Sequence, residues 1–161
     1  MKVFLSYALS PYDGALAARL RAVALAYNVE LLLPNTENRQ ILPIENKRKI
    51  KQSDAVIALI TNYTQETHSV NFELQEAIQQ KKPIIALAEN LNSIQGLPRN
   101  QIIVFNRHNP TQHENLLFEA LRQIKTQKNT ADAVAALGAI GLVALGLLAL
   151  GELTKESNAA K

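Results

Sequence analysis

Residues 53–88 read SDAVIALITNYTQETHSVNFELQEAIQQKKPIIALA, and this stretch decides the fold. Ala55–Thr61 is an apolar run of strand length. It is followed by a helical stripe of Val70, Leu74, Ala77 and Ile78 within about Val70–Lys82. A second apolar run, Ile84–Ala88, opens directly after Pro83, a residue tolerated at the start of a strand. Near-continuous apolar runs suit strands buried on both faces, so this is a strand–helix–strand unit of a parallel sheet.

Working outward, the same alternation continues in both directions. Val3–Tyr7, Val29–Leu33 and Ile102–Phe105 are three more runs of strand length. Ser10, Pro11 and Asp13 form a variant capping box, and Leu16, Leu20, Val23 and Tyr27 then line one helical face. A short basic helix is expected over Glu45–Gln52 and a last one over Gln112–Gln127, with Leu116, Leu117, Ala120, Leu121 and Ile124 inward. Five strands alternating with helices predict an open, doubly wound α/β sheet; a closed barrel needs eight strands. In such sheets the ligand lies beyond the carboxyl ends of the strands. That rule selects the loops Ala8–Ser10, Pro34–Pro43 and Asn62–Ser69.

Composition narrows the chemistry. The 161 residues include no cysteine, which removes disulfides, thiolate metal sites and cysteine nucleophiles. The net charge of +3 is too small to argue for nucleic acid as a partner. Only Gly14 and Gly96 precede residue 130, so neither a Walker loop nor a G-x-G-x-x-G fingerprint exists there. His68, His108 and His113 lack metal-ligand spacing, and no metal or cofactor is expected. The opening residues, MKVFLSYALSPYD, do not read as a signal peptide.

Three segments together resemble a Toll/interleukin-1 receptor (TIR) domain of the bacterial type: Val3–Tyr7, Lys51–Tyr63, and Val70–Ala77 with Lys82–Leu87. The resemblance covers about residues 1–125 and implies a flavodoxin-like five-stranded parallel sheet of order 2-1-3-4-5. Many such domains cleave NAD⁺ at the nicotinamide–ribose bond with one glutamate in the helix after the third strand, here Glu73. It implies NAD⁺ as substrate, contacted by Ser6, Tyr7, Ala8 and Ser69, and assembly through TIR–TIR contacts in bacterial immune signalling. One carboxylate suffices chemically, because the nicotinamide nitrogen is already cationic and needs no acid to leave. The residue-level alternative is that Glu73, in the first turn of its helix, complements the helix dipole. Glu76 is expected on the solvated surface.

The chain also departs from that pattern. NAD-cleaving members usually carry Trp four residues before the glutamate; here Ser69 stands there and the chain has no Trp. The second loop lacks the usual Pro-Gly pair. A non-catalytic TIR scaffold is therefore one alternative. Another is a nucleoside 2-deoxyribosyltransferase-like enzyme, which Glu73-Leu74 and Lys82-Pro83-Ile84-Ile85 also resemble. Both enzymatic readings put Glu73 at an N-glycosidic bond.

The expected domain occupies residues 1–128, followed by a linker over 129–132, a hydrophobic helix over 133–151 and a polar tail over 152–161. Ala133–Gly151 has 19 consecutive uncharged residues, nine of them Leu, Ile or Val. As a helix it would span roughly 28 Å, near the ~30 Å hydrocarbon core. Arg122, Lys125 and Lys128 precede it, so the positive-inside rule predicts one inner-membrane span with the α/β domain in the cytoplasm. The alternative is a helix that forms an oligomer without lipid. Cell fractionation decides between them. A membrane span puts the full chain in the detergent-requiring fraction while residues 1–128 stay soluble; a full chain recovered as a defined oligomer without detergent shows an assembly helix.

Overall fold

A computed structural model describes residues 1–8, 10–35, 42–62, 68–90, 97–98, 101–106 and 110–126. The expected membrane helix at 133–151, Tyr63, His108 and most of the loops 34–43 and 62–69 lie outside those residues. Among the described residues no helix is long and apolar enough to cross a membrane.

In chain order the elements are β1 (Lys2–Tyr7), α1 (Pro11–Ala26), β2 (Glu30–Leu32), α2 (Ile44–Gln52), β3 (Ala55–Ile60), α3 (His68–Gln79), β4 (Ile84–Ala88), β5 (Ile102–Val104) and α4 (Pro110–Thr126). The five strands form one sheet in the order β2-β1-β3-β4-β5. Every pairing is parallel, with Phe4 opposite Val56, Ile57 opposite Ile85 and Leu87 opposite Ile103. The five strands, the four helices and the TIR-like strand order agree with the sequence expectation, and boundaries move by only a few residues.

The period-two alternation of each strand sorts its side chains onto two faces. Val3, Leu5, Ile57, Leu59, Ile85 and Leu87 pack with α1 and α4, where Leu20, Ala24, Leu117 and Leu121 are buried. Phe4, Val56, Ala58, Ile84 and Ala86 pack on the other face with Ile50 of α2 and Val70, Leu74 and Ala77 of α3. Three helix expectations need correction. Ile78 is 53% exposed, because the inward stripe of α3 is carried by residues 70, 73, 74 and 77. Tyr27 is also exposed, since α1 has ended by then; its ring stacks on Phe118, with centroids 4.7 Å apart. And α3 begins at His68, so Glu73 lies beyond the first turn, which holds no acidic residue. This removes the simple helix-dipole account of Glu73, because that effect fades within a turn.

Local chemistry fixes the element ends. Ser10 has extended backbone angles and its hydroxyl accepts the Asp13 N–H at 3.0 Å, with Pro11 in the first turn. The Asp13 carboxylate is fully buried and accepts from the Thr61 hydroxyl at 3.0 Å, tying the start of α1 to the end of β3. After α1 the chain reverses through Asn28 at φ 56°, a left-handed geometry that Asn tolerates better than most residues. Lys82 Nζ donates to the Lys51 and Ser53 carbonyls at 2.8 and 2.7 Å, closing the last turn of α2 against the start of β4. Burial pushes this ammonium below its usual pKa.

Ile57 sits in the middle of the central strand and is fully buried. Replacing it by alanine leaves a cavity between the sheet and the α1/α4 layer, which closes in only partly. Ile57→Ala should lower the unfolding free energy by about 2–5 kcal/mol, read by urea denaturation as a lower midpoint with an unchanged slope.

Candidate functional site

Glu73 is an acid on an otherwise apolar stripe, one turn after Val70 and one turn before Ala77, and is only 2% exposed. An ionised carboxylate buried without partners costs several kcal/mol, so its neighbours decide its chemistry. Two hydrogen-bond donors are among them. The Ser6 hydroxyl donates to Oε2 at 2.5 Å, and the Asn46 side-chain amide donates to Oε1 at 2.7 Å. Charge-assisted bonds of this kind contribute about 1.5–3 kcal/mol each.

Three elements build this cluster. Ser6 shares the β1 face of Phe4, two residues earlier, which directs it toward α2 and α3. Asn46 lies one helical turn before the buried Ile50, on the same inward stripe of α2. Glu73 comes from α3, whose inward stripe meets both. Since Ser6 is the penultimate residue of β1, the carboxylate sits at the carboxyl end of the sheet, where open α/β sheets bind ligands.

The expected site residues separate in the structure. Ser6 joins Glu73, but it is fully buried and its hydroxyl serves the carboxylate. Ser69 is half-buried, one turn before Glu73 on α3, and Ala8 is buried just after β1. Tyr7 packs against the α1/α4 face, opposite to that of Ser6. Glu76 is a correction. Expected on the solvated surface, its side chain is only 16% exposed, faces Lys47 of α2 at 3.6 Å and accepts from Gln80 at 2.6 Å.

Asn46 is the residue that sequence reasoning missed. The only signal available was its position four residues before Ile50 in a helix otherwise dominated by charge. Asp13 and Glu89 also gather at the carboxyl end of the sheet; Glu89, after β4, accepts the Asn62 N–H at 3.2 Å. Among the described residues no group of three His, Cys, Asp or Glu could hold a metal. A separate cavity of about 320 Å³, lined by apolar residues such as Met1, Val29 and Phe118 and by the charged Glu119, Arg122 and Lys125, opens at the opposite, amino-terminal end of the sheet, away from Glu73.

A parallel α/β domain with a buried, doubly hydrogen-bonded carboxylate at its ligand-binding end is the class of protein that these features define. Residues 28–94 match the family described as Thoeris protein ThsB, TIR-like domain, a span that includes Asn46 and Glu73. The match and the strand order together support a bacterial TIR-type domain. No curated protein sequence matches the chain. Among solved structures, the Clostridium botulinum CMP N-glycosidase BcmB aligns at 20% identity with a TM-score of 0.51, over 76% of this chain and 98% of that one. The TIR domains of the activated Roq1 resistosome, which recognises the pathogen effector XopQ, align at 11% identity with a TM-score of 0.46, over 87% of this chain and 82% of that one.

Asn35, whose main-chain N–H is accepted by Asn46, also donates to a second carboxylate. Glu45 is bonded by Lys49 at 2.9 Å and by the Asn35 side-chain amide at 2.7 Å, and these bonds, that of Lys49 first, hold its pKa below the ordinary 4.5. A carboxylate with a lowered folded pKa stabilises the fold above its unfolded pKa, and that contribution disappears as pH falls through the folded value. The stability difference between wild type and Glu45→Gln should therefore be constant above pH 4.5 and shrink below it. Denaturation at several pH values checks this, and added salt should reduce the difference because the side chain is 41% exposed.

Proposed function

We propose that this protein cleaves the nicotinamide–ribose bond of NAD⁺, as hydrolase or cyclase, with Glu73 as the catalytic carboxylate, in bacterial immune signalling. The observation that carries the reading is the pair of donors on a buried carboxylate. The Asn46 Nδ2 group can only donate, so it favours the ionised form of Glu73 over a protonated one. An anion in that place suits an oxocarbenium-like transition state, or attack on the anomeric carbon. It does not suit a general acid, and the cationic nicotinamide leaving group requires none.

The match to a Thoeris TIR-like family supports the immune setting. TIR–TIR assembly and a membrane span at residues 133–151, with the α/β domain on the cytoplasmic side, belong to the same proposal. Confinement to a membrane would raise the effective concentration of domains and favour their assembly.

A second reading rests on Ser69, which stands where NAD-cleaving members usually carry Trp and removes a stacking surface worth roughly 1–3 kcal/mol. In that reading Glu73 acts on the N-glycosidic bond of a smaller nucleoside or nucleotide, of which CMP, the substrate named for the similar fold, is the first to try. Purified full chain incubated with NAD⁺ and, separately, with CMP distinguishes the two by release of nicotinamide or of cytosine. Release of neither leaves a TIR scaffold.

Glu73→Gln keeps the size and the hydrogen-bonding reach of the side chain but removes its charge. Whichever base is released, the variant should lose at least about 100-fold in rate, the scale of one transition-state interaction of roughly 3 kcal/mol. A folded Glu73→Gln protein with wild-type activity would overturn the site.

A further inference from the structure

Asn46 performs two tasks with one amide. Its Oδ1 accepts the main-chain N–H of Asn35 at 2.6 Å, while its Nδ2 donates to Glu73 at 2.7 Å and reaches the Asn35 carbonyl at 3.4 Å. It is 1% exposed, although it stands in the most polar helix of the domain. Asn35 is the point where the chain leaves β2 toward α2, and its own side chain donates to Glu45. The amide therefore spans the gap between the base of the β2–α2 connection and the carboxylate of α3.

Few side chains could do both. Aspartate would keep an acceptor for the Asn35 N–H but set acid against acid at Glu73. Serine is too short to reach both partners, and glutamine adds a methylene to a closed space. Resting on the reading of Glu73 as the reacting carboxylate, we propose that Asn46 is its positioning residue: it holds Glu73 ionised and in one orientation, and it ties that orientation to the β2–α2 connection through Asn35. Ser6 supplies the second donor but contacts no part of that connection through its hydroxyl bond to Glu73.

The ionisable residues on the surrounding elements are Glu76 and His68 of α3, Glu45, Lys47, Arg48, Lys49 and Lys51 of α2, and Lys2 and Tyr7 of β1. Of these, Glu76 is paired with Lys47 and Glu45 with Lys49. Asn46→Ala alters none of these residues and introduces no charge.

The experiment uses the full chain labelled with carbon-13 at glutamate carboxyls. The Glu73 signal is identified by its disappearance in Glu73→Gln, and wild type, Asn46→Ala and Asn46→Asp are then titrated. Losing the donor disfavours the buried anion, so the Glu73 midpoint should rise by about one pH unit or more in both variants. In Asn46→Asp the new carboxylate adds like-charge repulsion to the lost donor, so Asn46→Leu, of similar shape and without charge, is the comparison if the alanine variant is unstable. With NAD⁺, kcat should fall at least about tenfold while KM changes little, the pattern of a disturbed reacting group rather than of lost substrate contacts. An unchanged Glu73 midpoint in a folded variant overturns the proposal, whatever the activity. A raised midpoint in a protein that releases no nicotinamide overturns NAD⁺ cleavage and leaves the role of Asn46 standing.

Discussion

The arrangement of α2, α3 and β1 turns on one buried carboxyl group, that of Glu73. Glu73 lies on the face of α3 that packs against the sheet, where a carboxylate is tolerated only with donors aimed at it. Those donors come from two different elements, so the pairing specifies how α2 and α3 sit relative to β1 more narrowly than apolar contact would. A leucine in place of Glu73 would fill the same space with less demand on its neighbours. That a carboxylate stands there, at the ligand end of a parallel sheet, is the strongest argument in the molecule for chemistry rather than packing.

The two faces of the sheet are built differently. The α1/α4 face is an aliphatic and aromatic core closed by the Arg19–Glu114 ion pair, in which the arginine fork meets both carboxylate oxygens. The α2/α3 face is a smaller core interrupted by Ser6, Asn46 and Glu73. One face is organised for stability, and the other carries a polar cluster that constrains it. The buried Thr61 hydroxyl donates to Asp13, and the Ser53 hydroxyl bonds to the Ile50 carbonyl within the last turn of α2.

Period made the five-stranded parallel sheet legible, and the family resemblance supplied its strand order. Apolar runs at Val3, Ala55 and Ile84 mark fully buried strands, and the Ser10-Pro11 cap fixes the start of α1. What period could not supply was the direction of single side chains at the ends of elements. Ile78 satisfies the apolar pattern of α3 but falls on its outer side, and Glu76 lies closer to α2 than its charge suggests. At the site, Glu73 was legible only through resemblance to a family. Ser6 was expected as a substrate contact; the structure shows its hydroxyl bonded to Glu73, an engagement that a sequence does not reveal. Asn46 was hidden because a single amide in a charged helix has no pattern of its own; its role exists only through contact with residues 11 and 27 positions away.

The ion pair between α1 and α4 also bears on how the chain is made. Its two residues are 95 positions apart, and α4 is the last described element. At cellular synthesis rates of about 5–20 residues per second, roughly 5–20 seconds separate the appearance of Arg19 from that of Glu114. During that interval β1 and β3 can pair, yet the face carrying Val3, Leu5, Ile57 and Leu59 lacks half its cover. The nascent chain thus holds a sticky, half-dressed sheet until α4 is translated. A ribosome stall between β5 and α4 would expose that sheet to chaperones or to neighbouring chains.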